Sequence, residues 1–172
     1  LFYMYFLTAI GQYIIFLKKI FSRLEGRKIL LPKILDEIND LGMSSIGFVS
    51  FISVFVGAVV TLQVAYNMEN PLLPTYLIGL ASRDSLILEF SPTMISLVLA
   101  GKIGSHIASS IGTMRVTEQI DALEVMGINS ASFLVFPKIC ATIFINPFLI
   151  ILSIALGLVG GWLAGNITGI CP

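Results

Sequence analysis

The chain has 172 residues, of which 56% are hydrophobic and 12% charged, with a mean hydropathy of +0.97 and a formal net charge of zero. This excludes an ordinary soluble domain, whose apolar share is near half even when glycine is included, and the balanced charge gives no nucleic-acid-binding signature. Cys140 lies inside an apolar run and Cys171 at the chain end, so neither a disulfide framework nor a metal-ligand spacing can be read from them.

An all-α integral membrane protein follows, and its elements can be taken in order. Between Ala9 and Leu24 the apolar residues Ile10, Ile14, Leu17, Phe21 and Leu24 recur at helical spacing, while Gln12, Lys18, Lys19, Ser22 and Arg23 take the other faces. Residues 1–24 therefore read as a helix lying in the membrane interface. A spanning helix is the alternative, because Leu1–Leu17 is nearly all apolar, but that run falls short of the ~20 residues a crossing needs. Residues 25–45, "EGRKILLPKILDEINDLGMSS", are mixed and interrupted by Pro32, and predict a link. Lys18, Lys19, Arg23, Arg27, Lys28 and Lys33 crowd one sixteen-residue stretch, which places this elbow on the cytoplasmic side.

Ile46–Tyr66 carries no charge in twenty-one residues and predicts the first span. The next segment contains Pro71 and Pro74 and a single basic residue, Arg83, so residues 67–85 are expected outside. Residues 86–112 run back across, interrupted by Glu89, Lys102 and His106. Residues 133–165 form a third span, with Lys138 near its inner end and Pro137 and Pro147 as kink points. Small residues recur at every fourth position at Gly104, Ala108 and Gly112, and again at Gly157, Gly161 and Gly165. Such ridges let helix backbones approach closely in lipid.

Between the second and third spans stands "GTMRVTEQIDALEVMG", residues 112–127. Thr117 is suited to cap a helix start, Glu118 and Asp121 to its positive dipole end, and Gly127 to close it in the left-handed conformation. Val116, Ile120, Leu123 and Gly127 share one face of that helix, and Thr117, Asp121 and Glu124 another. So short a helix is marginal alone in water and needs something to pack against. Arg115 against Glu118, Asp121 and Glu124 leaves it at −2, which an anionic inner leaflet repels, so a protein partner is expected.

Catalytic chemistry is not expected of this chain, nor is a cofactor or metal. Gly101-Lys102 is followed by Ile103, with Ser96 where a phosphate loop needs its first glycine. His106 is the lone histidine and reads as a polar residue at the inner membrane boundary rather than a ligand. Asn166-Ile167-Thr168 fits a glycosylation sequon, a weak match. Glu89 has the strongest individual claim: a carboxylate within a span costs roughly 2.5–3.5 kcal/mol on insertion scales, and such residues face a polar cavity or a partner. The alternative places Glu89 at the outer headgroup level, paired with Arg83 or with nothing.

Residues 97–129, "LVLAGKIGSHIASSIGTMRVTEQIDALEVMGIN", resemble the signature stretch of the MlaE family of ABC-transporter permeases, and "EFSP" at 89–92 resembles that family's Glu-x-Gly-Pro. The resemblance implies a homodimeric permease in the bacterial inner membrane. It would be driven by two cytoplasmic ATPase subunits and move phospholipid to or from a periplasmic MCE-domain protein. It also implies that 113–129 is the coupling helix that seats in the ATPase, through Arg115, Thr117, Glu118, Gln119, Asp121 and Glu124, and that Glu89 and Pro92 line a lipid cavity. The sequence departs from the family at Leu88, where members carry Arg, and at Ser91, where they carry Gly. Members have two further spans, so a C-terminally truncated fragment is expected, and Leu1 in place of an initiating Met agrees. A cleavable signal peptide is not expected, because the basic residues follow the first apolar stretch.

Two other classes make different demands. An ion channel or ion-coupled transporter calls for several ionisable residues along the spans, whereas the first predicted span has none and the third only Lys138. A membrane enzyme acting on lipid calls for paired acids, or for a nucleophile with its base, and the sequence clusters neither.

Overall fold

The computed structural model describes residues 2–22, 27–68, 74 and 76–169. These residues form helices and no strand: α1 (Phe2–Ser22), α2 (Arg27–Asn67), α3 (Tyr76–Ser85), a π-helical turn (Leu86–Phe90), α4 (Ser91–Val116), α5 (Gln119–Val125) and α6 (Ser130–Thr168). Four stretches are helical, long and apolar enough to cross a membrane: Met4–Phe21, Leu30–Asn67, Tyr76–Val116 and Ser130–Thr168. The first lies in α1, which qualifies by length and composition alongside the three predicted spans. The chain is an all-α, multi-pass membrane protein.

Several helices outrun the bilayer. The 41 residues of α2 cover about 60 Å at the standard rise, twice a ~30 Å hydrocarbon core. The stretch predicted as a link is therefore helical from Arg27 onward, with Pro32 inside the helix. Likewise the predicted outer loop is helical from Tyr76, and α3 runs through the π turn into α4. α6 continues from Ser130 to Thr168 through both of its prolines.

The chain divides into two compact units, residues 1–40 with 104–143, and residues 41–103 with 144–172. In the first, Ile20, Leu30, Ala131, Leu134 and Ala141 are buried. Phe21 meets Phe136 edge to face, with centroids 5.9 Å apart, and Asn129 Nδ2 donates to the Lys19 carbonyl at 3.0 Å. These contacts tie the end of α1 to the start of α6. Toward its start α1 is bare: Met4, Tyr5, Phe6 and Leu7 are consecutive and all exposed, so its apolar surface there runs round every side.

The second unit is built on buried stripes with a four-residue step. On α2 the stripe is Leu41, Ser45, Val49, Ser53, Gly57, Thr61 and Ala65; on α6 it is Ile145, Leu149, Ser153, Gly157 and Gly161. Small and hydroxylated residues face inward, and Phe48, Phe51, Phe55 and Val59 face out. Lipid supplies no hydrophobic force to bring helices together, so close packing of small side chains takes its place. Two of the buried hydroxyls on α2 are satisfied within the helix: Ser53 Oγ donates to the Val49 carbonyl at 2.6 Å and Thr61 Oγ1 to the Gly57 carbonyl at 3.0 Å. Across α3 and α4 the stripe is Ile78, Ser82, Leu86, Ser91, Ile95, Leu99 and Ile103, with one step of five at the π turn.

Candidate functional site

The segment between α4 and α6 is a tightly specified turn–helix–turn. Thr117 stays in the ladder of α4, its N–H and its Oγ1 both donating to the Thr113 carbonyl, at 3.0 and 2.9 Å. It therefore does not cap α5, contrary to the sequence expectation. The chain breaks one residue later, where Glu118 takes the left-handed conformation (φ 58°, ψ 12°), and its carbonyl accepts the first helical bond from Ala122 at 3.0 Å. At the far end Gly127 has φ 78°, its N–H donates to Glu124, and that of Ile128 donates to Leu123. These two bonds form the Schellman closure, which requires a residue free of the Cβ penalty at that position.

Side chains fix this unit further. Arg115 Nη1 donates to Asp121 Oδ1 at 2.6 Å, and Ser130 Oγ to Glu124 Oε1 at 2.8 Å, so α5 is tied to α4 at one end and to α6 at the other. Its apolar residues divide differently from the sequence expectation. Ile120 and Leu123 are half-buried, while Val116 at the end of α4, Val125, which is 89% exposed, and Met126 are exposed. Thr117, Glu118, Gln119, Asp121 and Glu124 are exposed as well. The outward surface thus combines carboxylates with bare Val and Met, a mixture that suits a protein surface better than a hydrocarbon one.

Glu89 lies in the π turn and is exposed, with no hydrogen bond or ion pair to a described residue. Arg83 is engaged by Asp84 instead, at 2.8 Å. The π turn has a local cause: Pro92 has no N–H to donate, and its ring would strike the carbonyl of Leu88 in a regular α-helix. Widening the preceding turn, so that Ser91 N–H reaches back to the Leu86 carbonyl, relieves that clash. Pro92 itself is half-buried, about one turn on from Glu89.

The two small-residue ridges differ. A Cβ on Gly57 would fall on the Gly157 backbone, with Gly157 Cα at 2.9 Å, and one on Gly161 would lie 2.5 Å from Thr61 Oγ1. That ridge is the seam between α2 and α6, to which the structure adds Gly57 and Gly160. Gly165 is buried and lines a cavity. By contrast, Gly104, Ala108 and Gly112 are exposed, and nothing described lies within 4 Å of a Cβ at either glycine.

Three polar contacts escaped the sequence reading. Lys138 Nζ donates to Glu37 Oε1 at 2.6 Å, His106 Nε2 lies 3.4 Å from Asp40 Oδ2, and Lys102 Nζ reaches the Ser44 carbonyl and, at 3.2 Å, Ser45 Oγ. Lys33 Nζ sits 3.4 Å from the Phe133 ring centroid. The spacing of Lys33, Glu37, Asp40 and Ser44 along α2, and of Lys102 and His106 along α4, is the signal that would have found them: each set is one helical face.

Comparison with known proteins fits this architecture. A family model described as Permease MlaE matches residues 34–171. A probable ABC transporter permease protein of Rickettsia bellii is 34% identical over 157 residues, covering 91% of this chain and 60% of that protein. One of Synechocystis is 36% identical over 157 residues, with 91% and 56% covered, and one of Pyropia yezoensis is 30% identical over 141 residues, with 79% and 51% covered. The chain thus spans about half to three-fifths of the length of these relatives. With four-fifths of its residues inside the family model, the bare, doubly anchored α5 and the π turn before Pro92 fall within the matched region, and the chain belongs to the MlaE permease family.

Proposed function

We propose that this chain is the permease part of an ABC transporter in a bacterial inner membrane. It moves phospholipid between that membrane and a periplasmic MCE-domain partner. A separate cytoplasmic ATPase supplies the energy, and the chain itself has no catalytic site. The permease acts as a homodimer, with Leu1–Ser45 and Thr113–Asn129 on the cytoplasmic side and Asn67–Ser85 outside, as the crowding of basic residues before the first charge-free run supports. The open ridge of Gly104, Ala108 and Gly112 is compatible with a further helix of the same or a second copy.

The observation that carries this reading is α5: seven residues, closed at its C-terminal end by the Gly127 turn, pinned to α4 and α6, and presenting carboxylates beside exposed Val125 and Met126. A helix too short to stand alone and too acidic for an anionic leaflet is a rigid handle for another protein. Arg115, Thr117, Glu118, Gln119, Asp121 and Glu124 are the residues that meet the ATPase. Reversing Glu118 and Asp121 together to Lys in the full-length protein should reduce ATPase copurification and uncouple hydrolysis from lipid movement, because reversed charge pairs repel. Unchanged copurification and unchanged lipid-stimulated hydrolysis would remove α5 from the interface.

Glu89 and Pro92 line the lipid path in this reading, supported by an exposed carboxylate with no described partner in an irregular turn. Transfer of a labelled phospholipid by the reconstituted full-length complex should fall in the order wild type, Glu89→Gln, Glu89→Leu; equal rates for all three would make Glu89 an interfacial charge only.

A further inference from the structure

Within the second unit a cavity of about 210 Å³ opens between α3 and the C-terminal parts of α2 and α6. Its floor is buried and comprises Thr61, Ser82, Leu86 and Gly161, and its rim is exposed, with Gly79, Arg83 and Trp162. Most of this surface is apolar, yet one polar group has no use within the fold. Ser82 is 4% exposed, lines the cavity, and its Oγ has no hydrogen-bond partner among the described residues. The other floor hydroxyl, Thr61 Oγ1, is committed to the Gly57 carbonyl. A buried hydroxyl left unsatisfied is costly, so its presence at the bottom of an open cavity points to a bound acceptor. At the rim, Asp84 Oδ1 takes the Nε and Nη2 edge of Arg83, at 3.0 and 2.8 Å, and leaves Nη1 unengaged by any described residue. Trp162 beside it has the apolar body and polar N–H typical of residues at headgroup level.

We propose that this cavity binds one glycerophospholipid molecule. The phosphate sits on Arg83, an ester carbonyl accepts from Ser82 Oγ, and one acyl chain lies past Leu158 and Trp162 along the groove left by Gly161 and Gly165. The chemistry matches in each layer: anion to guanidinium at the rim, acceptor to hydroxyl on the floor, hydrocarbon against apolar walls. At about 210 Å³ the cavity is somewhat larger than a ~150 Å³ cavity that holds one benzene, room for part of one chain rather than two. The site is distinct from Glu89 and Pro92, and all the residues named for it come from one copy of the chain. It rests on the proposed transport function only in placing these helix ends at the outer headgroup level.

Photolabelling of the full-length protein in phosphatidylethanolamine–phosphatidylglycerol vesicles, without nucleotide, tests the proposal. One probe carries a diazirine in its headgroup and the other in its acyl chain. The headgroup probe should mark residues 79–83 and the chain probe residues 158–165, each above the level on the exposed residues 4–7 of α1. Inorganic phosphate should not compete. Gly79→Leu adds bulk at the rim, at a position where nothing described lies within 4 Å of a Cβ. It should abolish the excess labelling, and Ser82→Ala should lower it about fivefold, the equilibrium value of one neutral hydrogen bond. Labelling at 158–165 no higher than on α1, or unchanged in Gly79→Leu, would overturn the site. Because occupancy is read without nucleotide, that failure would leave ATPase coupling and transport untouched, and a loss of transport alone would leave the site standing.

Discussion

Lys138 of α6 donates to Glu37 of α2 at 2.6 Å with the two side chains only 4% and 15% exposed, the most buried ion pair among the described residues. Removing one member strands a buried charge, which costs ~3–5 kcal/mol, whereas replacing both with well-packed apolar residues is often neutral or better. Glu37→Leu and Lys138→Met should therefore each lower the thermal stability of the full-length protein sharply, and the double variant should recover most of the loss. Thermal unfolding in detergent reads this directly; single variants as stable as wild type would mean the pair contributes little.

Gly57 and Gly47 lie on the same helix and predict opposite outcomes. An added Cβ at Gly57 strikes the Gly157 backbone, which cannot move aside as a side chain would, and overpacking of this kind costs ~1–3 kcal/mol or more. At Gly47 nothing described lies within 4 Å, so alanine should gain ~0.5–1 kcal/mol of helix propensity. Denaturation midpoints of Gly57→Ala and Gly47→Ala, compared in one background, should move in opposite directions.

Glu118 is held at φ 58° without the freedom of glycine. A residue with a Cβ pays ~1–2 kcal/mol for this conformation; a β-branched residue would raise that cost further, and asparagine, which tolerates it, would lower it. Hydrogen exchange of the Ala122 amide, which bonds to the Glu118 carbonyl, should speed up in Glu118→Val and slow in Glu118→Asn. Since the asparagine variant also lacks the charge, weaker ATPase association despite a firmer turn would separate the electrostatic role from the backbone one.

Sidedness can be read with single cysteines at positions 28, 69 and 118 of a cysteine-free full-length protein. An impermeant thiol reagent added to intact cells should modify position 69 only. Modification at 118 from outside would invert the proposed topology.

How much of this was legible follows from what hydropathy measures. Ile46–Tyr66 stood out because no charge interrupts it, and it lies inside α2. Residues 27–45 belong to the same helix but looked like a link, because Lys33, Glu37 and Asp40 answer to Phe133, Lys138 and His106, which are remote in sequence. Hydropathy reports contact with lipid, not helicity, so a paired polar face reads as a break. Gly127 could be placed in advance because a left-handed closure favours glycine, whereas Thr117 could not, because the break falls on Glu118, a residue with no such preference. The inward serines 45, 53, 82, 91 and 153 were invisible for a related reason: by composition they look like surface, and in lipid they are the interior.

The π turn is also a question of phase. One α-helical residue is about 100° of rotation, so an extra residue inserted into a straight helix turns everything beyond it to a new azimuth. Here the extra residue falls between Leu86 and Ser91, and the wider turn absorbs it, so that Ser82 on one side and Ile95, Leu99 and Ile103 on the other still point into the same seam. Were that turn to tighten to an α-helix, the lower part of α4 would rotate as a shaft, carrying Lys102 off the Ser44 carbonyl and Ser45 hydroxyl that now receive it. A stretch of five residues thereby sets the angular position of the polar contacts that follow it, and Pro92, by making the tighter form costly, acts as the detent that holds the angle.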